Sequence, residues 1–543
     1  MSKTIVIVGG VAAGASAATR ARRMDENARI VLFEKDEYVS FANCGLPYHI
    51  GGEITERGRL LVATPELLSK RFRIEVRTLT EVTSIDRAAK EVAFVDRRTG
   101  ATGRQAYDKL ILAPGASPVV PPMEGVHSAN VFVLRNLADM DRIQATLGDG
   151  ARSAVVVGAG FIGLEMAEQL HHRGLAVTLV ELQPQVLPPL DHDMAVHVQK
   201  ELVRNGIDLH LGVGLGGIVA RNGRAVAVRL TDGTELPSDL VVLGLGVRPN
   251  TRLAEEAGLA LGRTKGIAVD HYGRTSDPDI YAAGDSAEQL SGITASVTRI
   301  PLAGPANRAG RIAGQHAATG ASQKLPRVMG SAVVRVFSTT AAVTGFSEKA
   351  CQGAGIPYEK VVLEARHHAG YYPGAEAMLL KVLYAPESGR LLGAQAVGGQ
   401  GVDKRIDVIA TVLHFGGTVD DLASLDLTYA PPFGSAKDPL HMAGFMGRNE
   451  LDGLVAWVHD DTELAGLQVV DVRGPAETQD GMLPNAIAIP LDELRENLSR
   501  LDASKPTAVV CRSGLRAWVG ARILRQKGFA DVRVLPGGMV LRG

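Results

Sequence analysis

Two copies of one glycine-rich pattern constrain the fold of this chain more than any other feature. The first copy is Gly9-Gly10-Val11-Ala12-Ala13-Gly14, and the second is Gly158-Ala159-Gly160-Phe161-Ile162-Gly163. Each follows a predicted buried strand and precedes a predicted helix. Glycines in such a turn let the backbone approach a pyrophosphate, and the helix N-terminus supplies free N–H groups. One copy alone is weak evidence, but two copies in the same context predict two dinucleotide-binding folds.

Each copy is followed by an acidic residue at the end of the next predicted strand. Glu34 and Glu181 lie about 20 residues beyond the last glycine of their loops, the spacing at which a carboxylate binds ribose hydroxyls. Glu181 would also repel a 2′-phosphate, and the next four residues include no arginine. The second copy therefore favours NADH over NADPH, although a distant basic residue could reverse this. Val11 replaces the usual second glycine of the first copy.

Length and composition narrow the class of protein further. A chain of 543 residues predicts three to four domains, and a net charge of −1 gives no electrostatic footprint for nucleic acid. Three cysteines cannot form a disulfide framework, and no cysteine and histidine cluster with metal-ligand spacing is present. No apolar run approaches the length of a membrane span, and no signal peptide precedes the first strand. We expect a cytoplasmic protein without a metal.

Two more strand-and-turn segments complete a recognisable set. They are Tyr107–Ala116 and Ile280–Asp285. With both glycine loops in this order, residues 1 to about 447 resemble the FAD-dependent pyridine nucleotide disulfide oxidoreductases. The resemblance implies FAD and NADH as cofactors, with Asp285 on the flavin ribitol. The implied cofactor-binding residues are Gly9, Gly10, Ala12, Ala13, Gly14, Glu34, Lys35, Ala113, Gly115, Gly158, Gly160, Phe161, Ile162, Gly163, Glu181, Gly246, Gly284 and Asp285.

The C-terminal segment has a different pattern. Two predicted strands, near Val469 and Val509, precede a loop that opens a predicted helix. The loop is Cys511-Arg512-Ser513-Gly514-Leu515-Arg516. This segment resembles a rhodanese domain, in which such a loop stabilises a cysteine persulfide. Backbone N–H groups can converge there on a sulfur anion. The resemblance implies that Cys511 is catalytic, and Arg512 and Arg516 would attract anionic sulfur donors.

The predicted fold class is α/β, with two Rossmann-like nucleotide-binding domains, an α+β dimer-interface domain and a small α/β rhodanese domain. The family resemblance implies a homodimer. The predicted boundaries are 1–120 and 246–325 for a discontinuous FAD domain, 121–245 for the NAD domain, 326–448 for dimerisation, 449–463 for a linker and 464–543 for the rhodanese domain.

Cys44 is the predicted redox residue of the flavoprotein part. It lies at the expected start of a helix, a position that favours a thiolate. Two-cysteine disulfide reductases carry a partner five residues later, but His49 occupies that position, so only single-cysteine chemistry is open to Cys44. The first glycine loop also lacks the histidine of the family's flavin peroxidases. The stretch Ser40–Tyr48 instead resembles coenzyme A (CoA) disulfide reductases.

That resemblance continues in Thr428–Asp438 and implies two tyrosines that act on the substrate sulfur from the other subunit. Tyr429 takes one role; Tyr372, or alternatively Tyr371, takes the other. A phenol can protonate a departing thiolate as a general acid. CoA carries phosphates, which arginines bind well. The implied CoA-binding residues are Ser16, Arg20, Arg23, Ser40, Asn43, Lys70 and Arg71.

The leading hypothesis from the sequence is an NADH-dependent flavoenzyme that reduces CoA persulfide, polysulfide or CoA disulfide at Cys44. In this hypothesis Cys511 carries sulfane sulfur to or from the first site. One alternative is a CoA disulfide reductase that maintains thiol balance, with a separate sulfurtransferase. Another is a persulfide relay or redox-sensing protein. The substrates are small molecules, with no nucleic acid or membrane partner.

Overall fold

The computed structural model describes residues 2–458 and 460–542, which form two compact units. The first unit runs to Val186 and includes Leu202–Val328. The second comprises Leu187–Glu201 and the chain from Met329 onward. This division is coarser than the six predicted domain segments, whose boundaries stay predictions.

The first part of the first unit begins with the strand, helix and strand that the first glycine pattern predicts. Its elements are β1 (Thr4–Val8), α1 (Ala12–Met24), β2 (Arg29–Phe33), α2 (Leu46–Gly51), α3 (Pro65–Phe72), β3 (Ile74–Arg77), β4 (Thr80–Asp86), β5 (Glu91–Asp96), β6 (Thr102–Ala106), β7 (Lys109–Leu112) and β8 (Ala116–Pro118). Strands β4, β5 and β6 pair antiparallel as a small separate sheet.

The second glycine pattern opens a second parallel sheet of order β12-β11-β10-β16-β9. The elements of this part are β9 (Val131–Phe132), α4 (Leu137–Gly148), β10 (Ser153–Val157), α5 (Phe161–His172), β11 (Ala176–Glu181), α6 (His192–Arg204), β12 (Asp208–Leu211), β13 (Leu215–Arg221), β14 (Arg224–Leu230), β15 (Glu235–Pro237), β16 (Leu240–Leu243) and β17 (Val247–Pro249). Strands β13 to β15 form an antiparallel layer.

The chain then returns to the first sheet. The elements of this return are α7 (Arg252–Glu256), β18 (Ile280–Ala282), β19 (Gln289–Leu290), β20 (Val297–Thr298) and α8 (Ala303–Thr319). Strand β18 pairs parallel with β7 and completes the order β18-β7-β1-β2-β3. The central strands are apolar on both faces because helices or other layers cover both sides of a parallel sheet. The first nucleotide-binding fold is therefore discontinuous in sequence.

The second unit begins with a mixed sheet-and-helix layer. Its elements are β21 (Ala332–Val336), β22 (Thr339–Gly345), α9 (Glu348–Ala354), β23 (Glu359–Arg366), β24 (Ala377–Tyr384), β25 (Leu391–Gly398), α10 (Val402–His414), α11 (Val419–Ser424) and α12 (Pro439–Leu451). The antiparallel sheet has the order β21-β22-β25-β24-β23. Helix α10 packs against β22 and β25.

A buried lysine fixes the start of α6 within this second unit. Lys381 on β24 is fully buried, and its Nζ lies 3.0 Å from Asp191 Oδ2 and 2.9 Å from Asp193 Oδ1. Glu348 at the start of α9 completes the ion-pair cluster. A buried ammonium is tolerated because several carboxylates surround it. This cluster explains why residues 187–201 belong to the second unit.

The C-terminal part of the second unit is a small parallel α/β fold. Its elements are β26 (Gln468–Asp471), α13 (Pro475–Thr478), β27 (Ile487–Ala488), β28 (Thr507–Val510), α14 (Leu515–Gln526) and β29 (Val532–Val534), with sheet order β27-β26-β28-β29. The predicted α/β fold class is confirmed. Among the described residues, no helix combines the length and apolar character needed to cross a bilayer.

Candidate active sites

The first glycine loop joins β1 to α1 and requires small residues for steric reasons. Gly9 has φ +96°, and a Cβ there would lie 2.1 Å from the Ala113 carbonyl oxygen. A Cβ on Gly14 would lie 1.7 Å from the Gly9 carbonyl oxygen. Ala12 and Ala13 open α1, whose first turn carries no acidic side chain and accepts no capping side chain. The free N–H groups there suit a pyrophosphate.

Glu34 ends the strand that follows this loop, and backbone groups hold its carboxylate. Its Oε2 accepts a hydrogen bond from Gly10 N at 2.7 Å, and its Oε1 accepts one from Asp36 N at 3.0 Å. Burial raises the pKa of this carboxyl despite both bonds. The neighbouring Lys35 is exposed. Glu34 is therefore fixed beside the loop, where a ribose would lie.

The second glycine loop repeats this arrangement. Glu181 Oε2 accepts from Ala159 N at 2.7 Å and Oε1 accepts from Gln183 N at 2.9 Å. A Cβ on Gly163 would lie 1.8 Å from the Gly158 carbonyl oxygen. The remaining predicted residues of this loop, at the start of α5, are Gly160, Phe161 and Ile162. The two loops therefore share the same arrangement of close-packed glycines and a carboxylate held by backbone N–H groups.

A third group of predicted residues surrounds Asp285, which follows β18. Burial raises the pKa of Asp285, while Arg135 and Arg299 lower it. Ser286 Oγ and two guanidinium nitrogens of Arg299 are buried without a hydrogen-bond partner among the described residues. Buried polar groups are normally satisfied, so these atoms fit a polar, phosphate-bearing cofactor such as FAD. Ala113 and Gly115 follow β7, and Gly284 directly precedes Asp285. The remaining predicted residue, Gly246, lies elsewhere, in the turn between β16 and β17.

Cys44 lies in a 3₁₀ turn, Asn43–Gly45, directly before α2, and it is accessible. Its Sγ is 3.8 Å from Asn43 Oδ1. The protein packed around the sulfur raises the pKa of the Cys44 thiol, Glu165 and Asp285 raise it further, and Arg135 opposes them. The prediction that the helix start lowers the pKa of Cys44 is wrong. Burial and the surrounding carboxylates raise this pKa instead.

The turn that leads to Cys44 is conformationally unusual. Ser40 has φ 44°, a left-handed value, and its N–H donates to the Gly10 carbonyl at 2.9 Å. Its own carbonyl accepts from Val62 N at 2.9 Å. These bonds tie the cysteine segment to the first glycine loop. Lys70 and Arg71, two predicted CoA-binding residues, are exposed near the end of α3.

A group of cations lies along α1 and α8. Arg20 donates through Nε to Gln315 Oε1 at 3.0 Å. Partial burial lowers the pKa of Arg20, and the nearby charges of Arg311 and Arg23 lower it further. Arg20 is close enough to both Arg23 and Arg311 for their charges to repel, and such a group of guanidiniums can attract a phosphate. Arg20, Arg23 and Arg311 are called the arginine cluster below.

The contribution of α8 to this surface lies outside the sequence motifs. The α8 residues involved are Asn307, Arg311 and Gln315. Ser16 Oγ donates to Asn307 Oδ1 at 2.6 Å. A Cβ on Gly310 would lie 2.1 Å from the Ala13 carbonyl oxygen, and one on Gly314 would lie 2.3 Å from that of Ala17. The four-residue spacing of small residues on both helices was the available signal, since it permits close packing.

Tyr371 and Tyr429 form a pair on the second unit. Their hydroxyl oxygens are 3.1 Å apart, and the side chains are exposed. The hydrogen bond between the two hydroxyls raises the pKa of Tyr371. Tyr372 instead packs edge-on against the buried His368, with ring centroids 5.6 Å apart. Among the three predicted tyrosines, the structure therefore brings the phenols of 371 and 429 together.

A buried ion pair supports the segments that carry these tyrosines. Arg405 Nη2 lies 2.7 Å from Asp438 Oδ2 and also donates to the His367 carbonyl at 2.7 Å. Ala369 N donates to the Gly434 carbonyl at 2.9 Å, which links the two segments directly. Because both charges are buried and paired, this support is rigid.

Cys511 follows β28 at the head of a tight loop. The thiol is 1% exposed, and its Sγ accepts a hydrogen bond from Gly514 N at 3.1 Å. Gly514 has φ +113°, a value that favours glycine. The Cys511 carbonyl accepts from Met539 N at 3.0 Å, so the terminal turn closes over the loop. A sulfur anion at this position meets a backbone donor, as the sequence predicts.

Both arginines of the Cys511 loop have acidic partners. Arg516 bonds through both terminal nitrogens to Glu477, at 2.6 and 2.7 Å. Arg512 Nη2 lies 3.5 Å from Glu364 Oε2 on β23. Neither carboxylate is indicated by the loop motif, because both come from distant parts of the sequence.

Three family models match the chain. The pyridine nucleotide-disulphide oxidoreductase model matches residues 3–310, and the dimerisation domain of the same family matches residues 331–439. The rhodanese-like domain matches residues 454–541. These spans cover both units of the structure.

Known proteins resemble the chain over most or all of its length. A coenzyme A disulfide reductase from Staphylococcus epidermidis is 35% identical over 442 residues, which are 81% of this chain and 99% of that protein. The reduced CoADR-RHD structure from Bacillus anthracis has 44% identity and a TM-score of 0.96, covering 100% of this chain and 98% of that one.

A NAD-dependent persulfide reductase from A. fulgidus has 38% identity and a TM-score of 0.93, with 99% of each chain covered. These likenesses confirm the resemblance predicted from the sequence, including the C-terminal rhodanese domain and the enzyme class. The chain belongs to the pyridine nucleotide-disulphide oxidoreductase family.

Proposed function

We propose that this chain is a homodimeric, cytoplasmic flavoenzyme that uses NADH to reduce CoA persulfide, polysulfide or CoA disulfide at Cys44. In this proposal, Cys511 carries sulfane sulfur to or from the first site. The observation that carries the proposal is one chain with two sulfur sites: an accessible Cys44 next to two nucleotide loops, and a buried Cys511 within a rhodanese loop.

Each nucleotide loop would bind a different cofactor. Glu34 and the first loop would bind the FAD adenosine and pyrophosphate, and Asp285 would bind the ribitol, with Ser286 and Arg299 supplying further polar contacts. Glu181 and the second loop would bind NADH. When bound, FAD supplies two-electron redox chemistry between a nicotinamide and a sulfur. The protein places Cys44 and the first loop together through the bond between Ser40 and Gly10.

The reaction at Cys44 is a thiol–disulfide exchange. The Cys44 thiolate attacks the outer sulfur of CoA–S–SH, an Sγ–S bond forms, and the CoA sulfur leaves as a thiolate. Release of hydrosulfide from the resulting persulfide then requires two electrons and a proton, and it restores the thiol. With CoA disulfide, the same attack forms a Cys44–CoA mixed disulfide and releases one CoA thiolate. Because the protein raises the pKa of Cys44, the thiol must lose its proton before it attacks the substrate sulfur.

The tyrosine pair would act as the general acid. A phenol with a raised pKa holds its proton in the resting enzyme and can donate a hydrogen bond or the proton to a thiolate that develops nearby. We favour Tyr371 over Tyr372 as the partner of Tyr429, because only Tyr371 has its hydroxyl within hydrogen-bond distance. The pair would be supplied by the other subunit, in keeping with the dimerisation domain.

The arginine cluster would bind the phosphates of CoA. Arg20 and Arg23 lie on α1, the helix that begins at the first glycine loop, and Arg311 lies on α8. Ser16 and Asn307 add polar groups to the same pair of helices. A nucleotide bound there would direct its thiol-bearing arm to the Cys44 segment, where Ser40 and Asn43 lie.

A second candidate function is CoA disulfide reduction for thiol balance, with sulfur transfer at Cys511 as a separate activity. The 35% identity to a coenzyme A disulfide reductase over 81% of the chain favours it. The two functions use the same attack by Cys44 and release CoA thiolate in both cases, and they differ in the group left on Cys44: a persulfide sulfur in one and CoA in the other.

The test is anaerobic NADH oxidation with CoA persulfide and, separately, with CoA disulfide. The intact chain is compared with Cys44→Ser, Cys511→Ser and the buried-cysteine control Cys351→Ser. We expect faster turnover with CoA persulfide, release of hydrosulfide, loss of activity in Cys44→Ser and reduced CoA persulfide turnover in Cys511→Ser. The control should behave as the intact chain.

Two outcomes would count against the proposal. Full turnover by Cys44→Ser would refute the role of that cysteine. Faster disulfide turnover that is indifferent to Cys511→Ser would favour the second candidate function.

A further inference from the structure

The Cys511 loop contains two arginines, but one of them is fully engaged by a carboxylate. Arg516 makes two parallel bonds to Glu477, and this pairing lowers the pKa of Glu477 to about 2. The same bonds raise the pKa of Arg516, and the adjacent Cys511 charge adds to the effect. Arg516 is therefore close to the reacting sulfur, yet both of its terminal nitrogens already bind an anion.

Hydrogen bonds from Arg473 and Gly474 fix the position of Glu477. Arg473 forms a buried ion pair with Asp471 at 2.8 Å and donates to the Glu477 carbonyl at 3.1 Å. Glu477 also accepts from Gly474 N at 3.3 Å through its side chain. These bonds hold the Glu477 carboxylate beside Arg516.

The second loop arginine is also paired. Arg512 lies 3.5 Å from Glu364 on β23, whose side chain is mostly buried. His197 of α6 also lies within electrostatic range of Glu364, and burial lowers its pKa, so it is neutral near pH 7. Arg512 with Glu364, Arg516 with Glu477 and Arg473 with Asp471 form three ion pairs near the loop, and the charges within each pair cancel. Beside them, Leu515 presents an exposed apolar side chain.

A neutral, partly apolar entrance suits some sulfur donors better than others. Thiosulfate is a small dianion, and rhodanese chemistry with it requires cations that are free to bind its sulfonate oxygens. A thiol persulfide carries at most one charge at the reacting end and brings an apolar arm. We propose that Cys511 takes sulfur from thiol persulfides and discriminates against thiosulfate, and that Glu477 and Glu364 set this preference. This rests on the proposed function of Cys511 as a sulfane-sulfur carrier.

The transfer step balances without an oxidant or reductant. The Cys511 thiolate attacks the outer sulfur of R–S–SH, an Sγ–S bond forms and the donor S–S bond breaks. The proton on the transferred sulfur moves to the departing thiolate, which leaves R–SH and a Cys511 persulfide anion. The Gly514 N–H that now bonds to Sγ is available to stabilise the anion. With thiosulfate, the same attack would release sulfite, whose charge meets loop arginines, Arg512 and Arg516, that already have acidic partners.

The experiment measures sulfur transfer to cyanide, read as thiocyanate, without NADH. The full chain carries Cys44→Ser, which leaves Cys511 and the fully buried Cys351, so a failure of the reductase proposal cannot alter the result. The donors are thiosulfate and pantetheine persulfide, whose arm has no phosphate. We expect kcat/KM for the persulfide to exceed that for thiosulfate by about a hundredfold, the scale of one unfavourable charge contact.

In the same background, Glu477→Gln frees Arg516, and we expect it to raise kcat/KM for thiosulfate by about tenfold or more. The persulfide should change less than about threefold. Glu364→Gln should act in the same direction more weakly, because its partner is more exposed. The matched control is Glu463→Gln, which breaks the 2.6 Å pair with Arg533 in the same domain. It should leave the donor ratio unchanged.

Several results would overturn the inference. Equal use of both donors by the parent chain would do so, as would an unchanged donor ratio in both Glu477→Gln and Glu364→Gln. If Glu477→Gln fails to fold, the Glu364→Gln result decides alone, because that residue lies on a different element. Transfer retained in Cys511→Ser would refute the site itself.

Discussion

Replacing Glu181 with glutamine should weaken the preference for NADH. Glu181 is buried at the end of β11, and its two oxygens accept from Ala159 N at 2.7 Å and Gln183 N at 2.9 Å. Glutamine keeps the shape and one oxygen acceptor, but its amide nitrogen must face the other N–H. The variant therefore loses one hydrogen bond and the negative charge while the loop keeps its side chain.

The size of the effect follows from two contributions. A buried donor left unpaired costs about 1–3 kcal/mol, which lowers kcat/KM for either nucleotide by roughly tenfold or more if it acts only in the bound state. Repulsion between a carboxylate and one phosphate charge at about 4 Å is roughly 1 kcal/mol in water and 4 kcal/mol near a protein surface. Removing it helps NADPH alone. We expect the ratio of NADH to NADPH efficiency to fall by at least about fivefold.

The assay is anaerobic stopped-flow reduction of the enzyme-bound flavin by each nucleotide, which needs no sulfur substrate. The matched control is Glu235→Gln, an exposed carboxylate of the same fold that pairs with Arg229 at 2.9 Å. It should leave the ratio unchanged. A native enzyme that prefers NADPH, or a Glu181→Gln variant with an unchanged ratio, would refute the reasoning.

Three further predictions address the tyrosines, the arginine cluster and a buried acid. Tyr371→Phe should lower kcat with CoA disulfide by about ten- to a hundredfold and Tyr372→Phe by less than about threefold; the opposite order in steady-state assays would contradict the pairing. Arg20→Ala should raise KM for CoA disulfide by about tenfold, and the ratio to the native KM should shrink as salt increases. Burial, opposed by a hydrogen bond from Tyr384, raises the pKa of Glu450 to about 7. The folded chain then holds this proton more tightly than the unfolded chain, so stability falls as pH rises from about 4.5 to about 7. Glu450→Gln should remove this loss and raise the apparent Tm at pH 8 by about 2–4 °C in thermal melts, and a native Tm that is flat over this range would contradict it.

The fold was predictable because its signals are local and repeated. The loops at Gly9 and Gly158 fix where each strand ends and each helix begins, and the carboxylates at Glu34 and Glu181 follow at a fixed interval. Backbone geometry demands these residue types, so the sequence pattern and the three-dimensional arrangement correspond closely.

The charge partners of the sites were not predictable in the same way. Arg311 approaches Arg20 only because α8 packs on α1, and these two residues are far apart in sequence. Glu477 and Glu364 reach the Cys511 loop from other strands and turns, so no motif around Cys511 points to them. The raised pKa of Cys44 has the same origin, since it depends on burial and on distant carboxylates.

Because α1 and α8 pack closely, the proposed binding of FAD and that of CoA are thermodynamically coupled through this helix pair. Helix α1 begins at the pyrophosphate loop and carries Arg20, and Gly310 and Gly314 hold α8 against it with no space for a side chain. Any free-energy gain from ordering this helix pair is shared by both ligands. Thermodynamic reciprocity then requires that CoA increase the affinity for FAD by the same factor by which FAD increases the affinity for CoA. A chain without bound FAD would accordingly bind CoA more weakly.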